Sequence, residues 1–281
     1  SMAGNFWQSS HYQEWLLDKQ YVDLYRAEDL KFLTEEEYQK LMVFFANFIQ
    51  AIGEKLVVRQ QVIATATIYS KRFYARYSLR CVDPWLLCPT ALFLASKVEE
   101  FGVLSSKGLI AMCQSIVKSK HHHLLPDQEF PYTVTNIQEC EFLLLEVLDC
   151  SLVVYHPYRS LALFIEDLQT QDSSFSQEVF PVAWKVINDS LRTDACLHYP
   201  PYLIALAGIH IACLVCGKDA QAWFAELSVD LDKVLEIVRL LLNLYELLKG
   251  FDERNQMPAI MEKMPRPKQD LTVPDNGDGQ A

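Results

Sequence analysis

The chain has 281 residues, 51% of them hydrophobic and 22% charged, a balance too apolar for disorder and sufficient to bury two modest cores. Its formal net charge of −11 is the wrong sign for a chain whose main partner is a phosphate backbone, so direct nucleic-acid binding is not expected. No apolar run reaches the roughly 18 to 20 residues that span a bilayer, and the N-terminus lacks the basic-then-apolar order of a secretory signal; the expectation is a soluble intracellular protein with no membrane partner.

Helical spacing runs throughout, strand-like alternation is hard to find and the 9 glycines are few, so the fold is expected to be all-α. Ser10 with Gln13 reads as a capping box opening a helix to about Ala27, with Tyr12, Trp15, Leu16 and Val22 on one side, and residues 1–33 form an N-terminal arm. Thr34 with Glu37 is a second capping box. It starts a helix over 35–52 that Gly53 is expected to close in the left-handed conformation. The Met and aromatic residues from Leu41 to Ile49 are helix-spaced and read as core. Helices over 57–77, 84–101, 106–118 and 133–148 complete five in a first repeat spanning 34–150.

A second repeat over 156–250 begins its first helix at Pro157 and continues with helices over 179–191, 201–215, 220–227 and 230–249, with Gly217 and Gly250 as stops. Gln169 to Gln177 (QTQDSSFSQ) is polar and expected to be an exposed, mobile loop. Residues 251–281 are expected to hold a short helix and then a disordered tail, because almost no apolar residue beyond Met264 offsets the entropy of ordering it.

The two repeats show in the sequence itself. Pro201 lies 117 residues after Pro84, and in that register PYLIALAGIHIAC falls on PWLLCPTALFLAS, Val179 on Val62 and Ala183 on Ala66. Ala91 and Ala95 in one copy, Gly208 and Ala212 in the other, are small residues four apart and share a helix face. Bulky apolar residues fill the remaining sides, which predicts a central helix covered all round in each repeat.

Few residues are placed for chemistry. On a helix over 137–148, Glu141 has Ile137, Leu144, Leu145 and Leu148 as its neighbours at helical spacing, while Glu139 and Glu146 share another face. A carboxylate on an apolar stripe is costly without a partner. Lys97, after Phe93 and Leu94, poses the same problem with the opposite sign. Either Lys97 reaches water while Glu141 caps a neighbouring helix, or the two border a patch on which another protein docks. Trp184, Asn188 and Asp189 on one helix, with Trp7, Glu99 and Tyr245 from elsewhere, suit a second binding groove between the repeats. Core packing is the competing reading of Trp184.

Other signals fail. His121-His122-His123 lies in an expected loop without a Cys or carboxylate cluster, so no metal is expected. Eight cysteines scattered through apolar segments suit reduced core thiols, Cys213 and Cys216 included. Neither a phosphate loop nor a dinucleotide turn occurs, and no nucleophile, base and orienting group assemble, so neither catalytic residues nor cofactors are expected.

Tandem five-helix repeats, with Leu94 to Glu100 (LASKVEE) ending the third helix of the first, resemble the cyclin fold. Ala3 to His11 (AGNFWQSSH), Lys71 to Arg76 (KRFYAR), Tyr155 to Arg159 (YHPYR) and Trp223 to Leu227 (WFAEL) make the chain similar to the transcriptional cyclins. The resemblance implies two tandem cyclin boxes and a regulatory, non-enzymatic subunit that binds and activates a cyclin-dependent kinase. It implies that Lys97 and Glu141 hold the kinase αC helix, with Leu144, Leu145, Leu148 and Trp15 on the same kinase-binding surface. It further implies the Mediator kinase module, other subunits of that module in the second groove, control of RNA polymerase II transcription and a nuclear location.

Cell-cycle members carry Met-Arg-Ala-Ile-Leu for substrate docking, where this chain has Leu41-Met42-Val43-Phe44-Phe45 without arginine, so Arg-x-Leu recruitment is not expected. The loop at 169–177 is longer than the family leads one to expect. The rival reading is a cyclin-fold general transcription factor on promoter DNA, against which the charge of −11 speaks.

Overall fold

The computed structural model describes residues 5–99, 102 and 104–265, and among them the regular structure is helical, with no strand. Two helices, α1 (Ser10–Glu14) and α2 (Lys19–Arg26), stand where one was expected. The first is capped by Ser9 rather than Ser10, Ser9 Oγ accepting from the Tyr12 N–H at 3.3 Å. It ends early because the Leu17 N–H donates to the Leu197 carbonyl at 2.7 Å instead of to its own helix, and His198 Nδ1 lies 2.7 Å from the Leu17 carbonyl.

Helix α3 (Glu35–Lys55) opens on the expected capping box, Thr34 Oγ1 accepting from the Glu37 N–H at 3.1 Å and Glu37 Oε1 from the Thr34 N–H at 3.0 Å. Gly53 does not close it. That glycine is buried within the last turns, where an added Cβ would sit 2.5 Å from Ile63 Cγ1, so its role is to let two helices approach. The left-handed residue is Val57, at φ 56°.

Then come α4 (Gln60–Arg76), α5 (Pro84–Val98), α6 (Ser106–Ile116) and α7 (Val134–Val147). Where a loop was expected at the three histidines, a π-helical turn (Val117–His121) and a 3-10 turn (His122–Leu124) continue α6. The His121 ring packs 5.0 Å from Phe44 and 5.9 Å from Trp85, and burial, helped by His123 and Lys120, lowers its pKa to about 4.

The second repeat supplies α8 (Pro157–Gln169), α9 (Phe180–Ser190), the short α10 (Ala195–His198), α11 (Pro201–Cys216), α12 (Gln221–Glu226) and α13 (Leu231–Lys249). The segment 169–177 is not all loop: Phe175 is buried in the core and opens a π-helical turn to Val179. Gly217 ends α11 in the left-handed conformation, φ 64°, and its N–H donates to the Cys213 carbonyl. A last helix, α14 (Glu253–Lys263), stands where a short helix was expected. The disordered tail expected beyond Met264 falls on residues 266–281, outside those described.

Contacts within the chain form two compact units that do not follow the expected 1–33 arm. One holds α2 to α7 with α14, whose Lys263 Nζ lies 2.7 Å from Glu37 Oε2; the other holds α1 with α8 to α13. In the first, α5 is packed by α3, α4, α6 and α7, and every residue from Pro84 to Ser96 is buried. In the second, α11 is packed by α8, α9 and α13. Ala91, Ala95 and Ala212 have no exposed surface, and a Cβ on Gly208 would meet Ile187 Cγ1 at 3.3 Å. The expected all-round burial holds for α5 up to Ser96 and for most of α11, which opens to solvent at Leu214 and Val215.

Candidate functional site

The C-terminal end of α5 is held from several sides. At the other end, Asp83 caps the helix, its Oδ1 accepting from the Trp85 N–H at 3.0 Å and its Oδ2 from the Tyr132 hydroxyl at 2.6 Å; desolvation raises its pKa against those two bonds. Lys97 lies in the last turn, where the helix dipole favours a cation. Glu99 closes that turn: its carboxylate accepts from Gln61 Nε2 and Thr65 Oγ1, both at 2.8 Å, and its carbonyl from the Arg59 guanidinium at 2.9 Å. Helix α7 starts on a Thr133–Asn136 capping box and stops at Asp149 and Cys150, both left-handed, with Arg76 bonded to Asp149 at 2.9 Å.

These two helices bring Lys97 and Glu141 together. Lys97 Nζ donates to Glu141 Oε1 at 2.9 Å and Oε2 at 3.1 Å, and lies 4.1 Å above the centre of the Phe93 ring. Neither reading of the sequence anticipated this contact: each charge supplies the other's partner within the chain. The side chains keep 38% and 17% of their exposure, so solvent screening limits the pair to about 1 kcal/mol of stability or less. The pair is a fixed cation and carboxylate, partly exposed where α5 and α7 meet.

The apolar residues expected around the pair divide. Leu144, Leu148 and Trp15 are fully buried, so they are core and present nothing to a docking protein. The pitch of α7 turns Leu144 and Leu148 inward with Ile137, and Trp15 follows the tendency of a large aromatic to give its area to the interior. Leu145 is half-buried and lies on the open side. Phe142, which the sequence reading passed over, is 75% exposed beside Glu141. Its signal was available: an aromatic flanked by Glu139 and Glu146 at helical spacing has no apolar stripe of its own.

The second group of candidates is spread over the two units. In the second-repeat unit, the Trp184 ring packs at a tilt of 37° with its centre 4.5 Å from that of Tyr158, whose hydroxyl donates to Asn188 Oδ1 at 2.6 Å. Tyr245 donates to Asp189 Oδ2 at 2.9 Å, and desolvation raises the pKa of Asp189. In the same unit Trp7 is 50% exposed and packs 4.9 Å from Tyr12 and 5.8 Å from Tyr202. Trp184 is thus half core and half surface. Glu99 belongs to the other unit, where Gln61 and Thr65 hold its carboxylate.

No disulfide joins the eight cysteines; five are in the core as expected, while Cys81 and Cys216 are partly buried and Cys150 is exposed. Among the described residues no three His, Cys, Asp or Glu side chains gather as metal ligands do, and no helix is long and apolar enough to cross a membrane.

Comparison with known proteins places this architecture. The family described as "Cyclin, N-terminal domain" matches residues 17–153, and "Cyclin C-terminal domain" matches 156–249. Cyclin-C of Rattus norvegicus is 57% identical over 279 residues, covering 99% of this chain and 95% of the relative. The chain belongs to the cyclin family, among the cyclin-C proteins. Cyclin-C of Drosophila melanogaster is 56% identical over 95% of this chain and 98% of the relative, and that of Caenorhabditis elegans 40% identical over 95% of each.

Solved structures agree on the cyclin fold. A chain of the yeast TFIIK (Kin28/Ccl1/Tfb3) complex, 27% identical, matches with a TM-score of 0.65 over 85% of this chain and 99% of its own. A chain of the CAK complex of Chaetomium thermophilum bound to ATP-gamma-S, 23% identical, matches with a TM-score of 0.67 over 93% and 89% and bears on the fold alone.

Proposed function

We propose that this cyclin is the regulatory subunit of a cyclin-dependent kinase of the transcription apparatus, that of the Mediator kinase module, and that it acts in the nucleus on RNA polymerase II transcription. The observation that carries the reading is the cyclin-C identity of 57% over nearly the whole chain, supported by the likeness to a chain of TFIIK. The surface proposed for that activity is the Lys97–Glu141 edge, with Leu145 beside it. No catalytic residue, metal or cofactor of the chain's own enters the mechanism.

In a kinase, the αC glutamate must pair with the strand lysine that positions the ATP phosphates. A cyclin that binds the helix-in state better than the helix-out state shifts the population toward the competent form. Taking a kinase from about 1% to about 99% competent needs roughly 5.5 kcal/mol of preference. Lys97 and Glu141 suit this because they are already oriented: docking a helix against them costs little side-chain ordering, and the helix's terminal carbonyls and N–H groups find a cation and a carboxylate in place. The test is a kinase assay on an RNA polymerase II C-terminal repeat peptide, with the purified kinase of the module alone and with this chain. Activity rising on the order of 100-fold is expected. An unchanged rate contradicts the proposal.

A second partner, another subunit of the same module, is proposed for the second-repeat unit, on the half-exposed Trp7 and on the Trp184, Asn188, Asp189 and Tyr245 cluster; Glu99 is left out of that surface. Trp7→Ala is expected to keep the kinase and lose the other subunits in affinity capture. Capture of both as in the wild type removes this second site.

A further inference from the structure

Phe142 has no explanation in the fold. Among the described residues it is the one phenylalanine left exposed, at 75%, in a molecule whose Phe44, Phe45, Phe48 and Phe73 are all buried. Single exposed apolar residues are common and by themselves mean little. Phe142 differs in its setting. It follows Glu141 directly, shares half-buried Leu145 as its neighbour one turn on, and so continues the Lys97–Glu141 edge across α7. Its other neighbours at helical spacing are Gln138, Glu139 and Glu146, all exposed. An aromatic side chain thus stands on a rigid helix with two carboxylates around it.

Interfaces are built in this manner: an aromatic anchor fills a pocket while charges remain at the rim, where they steer encounter. We infer that Phe142 is a second anchor for the same kinase, seated in an apolar socket of the kinase whose border carries lysine or arginine side chains facing Glu139 and Glu146. The inference rests on the reading of the previous section, and two observations commit it to that occupant. Phe142 is continuous with the Lys97–Glu141 edge, and the charge around it calls for a basic border. Its part is affinity and choice of partner, whereas the ion pair engages the helix that must be held in place.

The experiment measures binding of the purified kinase of the Mediator kinase module to the full chain, by surface-immobilised kinetics at several salt concentrations, for the wild type, Phe142→Ala, Phe142→Leu, Glu139→Gln with Glu146→Gln, and Lys97→Glu. Phe142→Ala is expected to weaken binding about 10- to 100-fold, as the loss of a buried phenylalanine does, with the melting temperature unchanged because the side chain makes no core. Phe142→Leu is expected to recover part of the loss. The double Gln variant is expected to lower the association rate at low salt and to converge on the wild type as salt screens the charges.

If Lys97→Glu weakens binding while Phe142→Ala stays within about twofold of the wild type, the second anchor is overturned and the kinase reading stands. If the wild type itself binds no kinase, both fall. A drop in melting temperature matching the affinity loss of Phe142→Ala would make the residue structural and overturn the anchor as well.

Discussion

Helices α5 and α11 are the same object built twice, yet they end differently. Their inner walls agree: Ala91 and Ala95 in one, Gly208 and Ala212 in the other, all without exposed side-chain bulk, so neighbouring helices close over them. In the repeat register, Leu214 falls opposite Lys97. Lys97 is tied to Glu141 at 2.9 Å, with Glu99 locking the turn behind it, whereas Leu214 and Val215 are each 69% exposed before the left-handed Gly217. Burial fixes the middle of such a helix, because any change there disturbs close packing on every side. Its free end can change at little cost, and that is where the two copies differ.

The comparison breaks most readily at the walls. Ala95→Leu and Ala212→Leu are each expected to destabilise by about 1–3 kcal/mol in urea unfolding, through forced displacement of the packed helices. Similar losses from both would support equivalence, and tolerance of one would show that its wall is not closed.

A smaller effect separates the opposite ends. Helix α5 is capped by the Asp83 side chain, while α11 begins at Pro200 and Pro201 with no side-chain cap bond. The folded pKa of Asp83 is raised, so the folded state binds its proton more tightly than the unfolded chain. That group's contribution is fully present below the unfolded carboxylate pKa of about 4 and is lost as pH rises through the higher folded value. Asp83→Asn keeps the capping oxygen and removes the charge. Its melting temperature is expected to gain on the wild type as pH rises from about 4 toward neutrality. A gain by the wild type over that range would reverse the sign and refute the desolvation argument.

The sequence was most informative where one helix speaks for itself. The Thr34–Glu37 capping box, the mostly buried stretch from Leu41 to Ile49 and the central helices all follow from spacing within a few turns. It was silent where the cause lies far away in the chain. The pairing of Lys97 with Glu141 depends on α5 lying against α7, and the break between α1 and α2 on a hydrogen bond from Leu17 to Leu197. Pitch placed Leu144 and Leu148 near Glu141 but could not say which side faced inward. Gly53 misled because a glycine near a helix end suits both a left-handed cap and a close approach, and only the position of Ile63 distinguishes them.

The central claim is that the Lys97–Glu141 edge meets a partner rather than merely bracing α5 against α7. Exchanging the two residues, Lys97→Glu with Glu141→Lys, keeps an ion pair in place while reversing the polarity presented outward, so binding and bracing separate in a single protein. The expected result is a melting temperature close to that of the wild type together with a loss of kinase capture of about 100-fold or more. Capture at the wild-type level by the exchanged protein would contradict the claim and leave the pair as a brace.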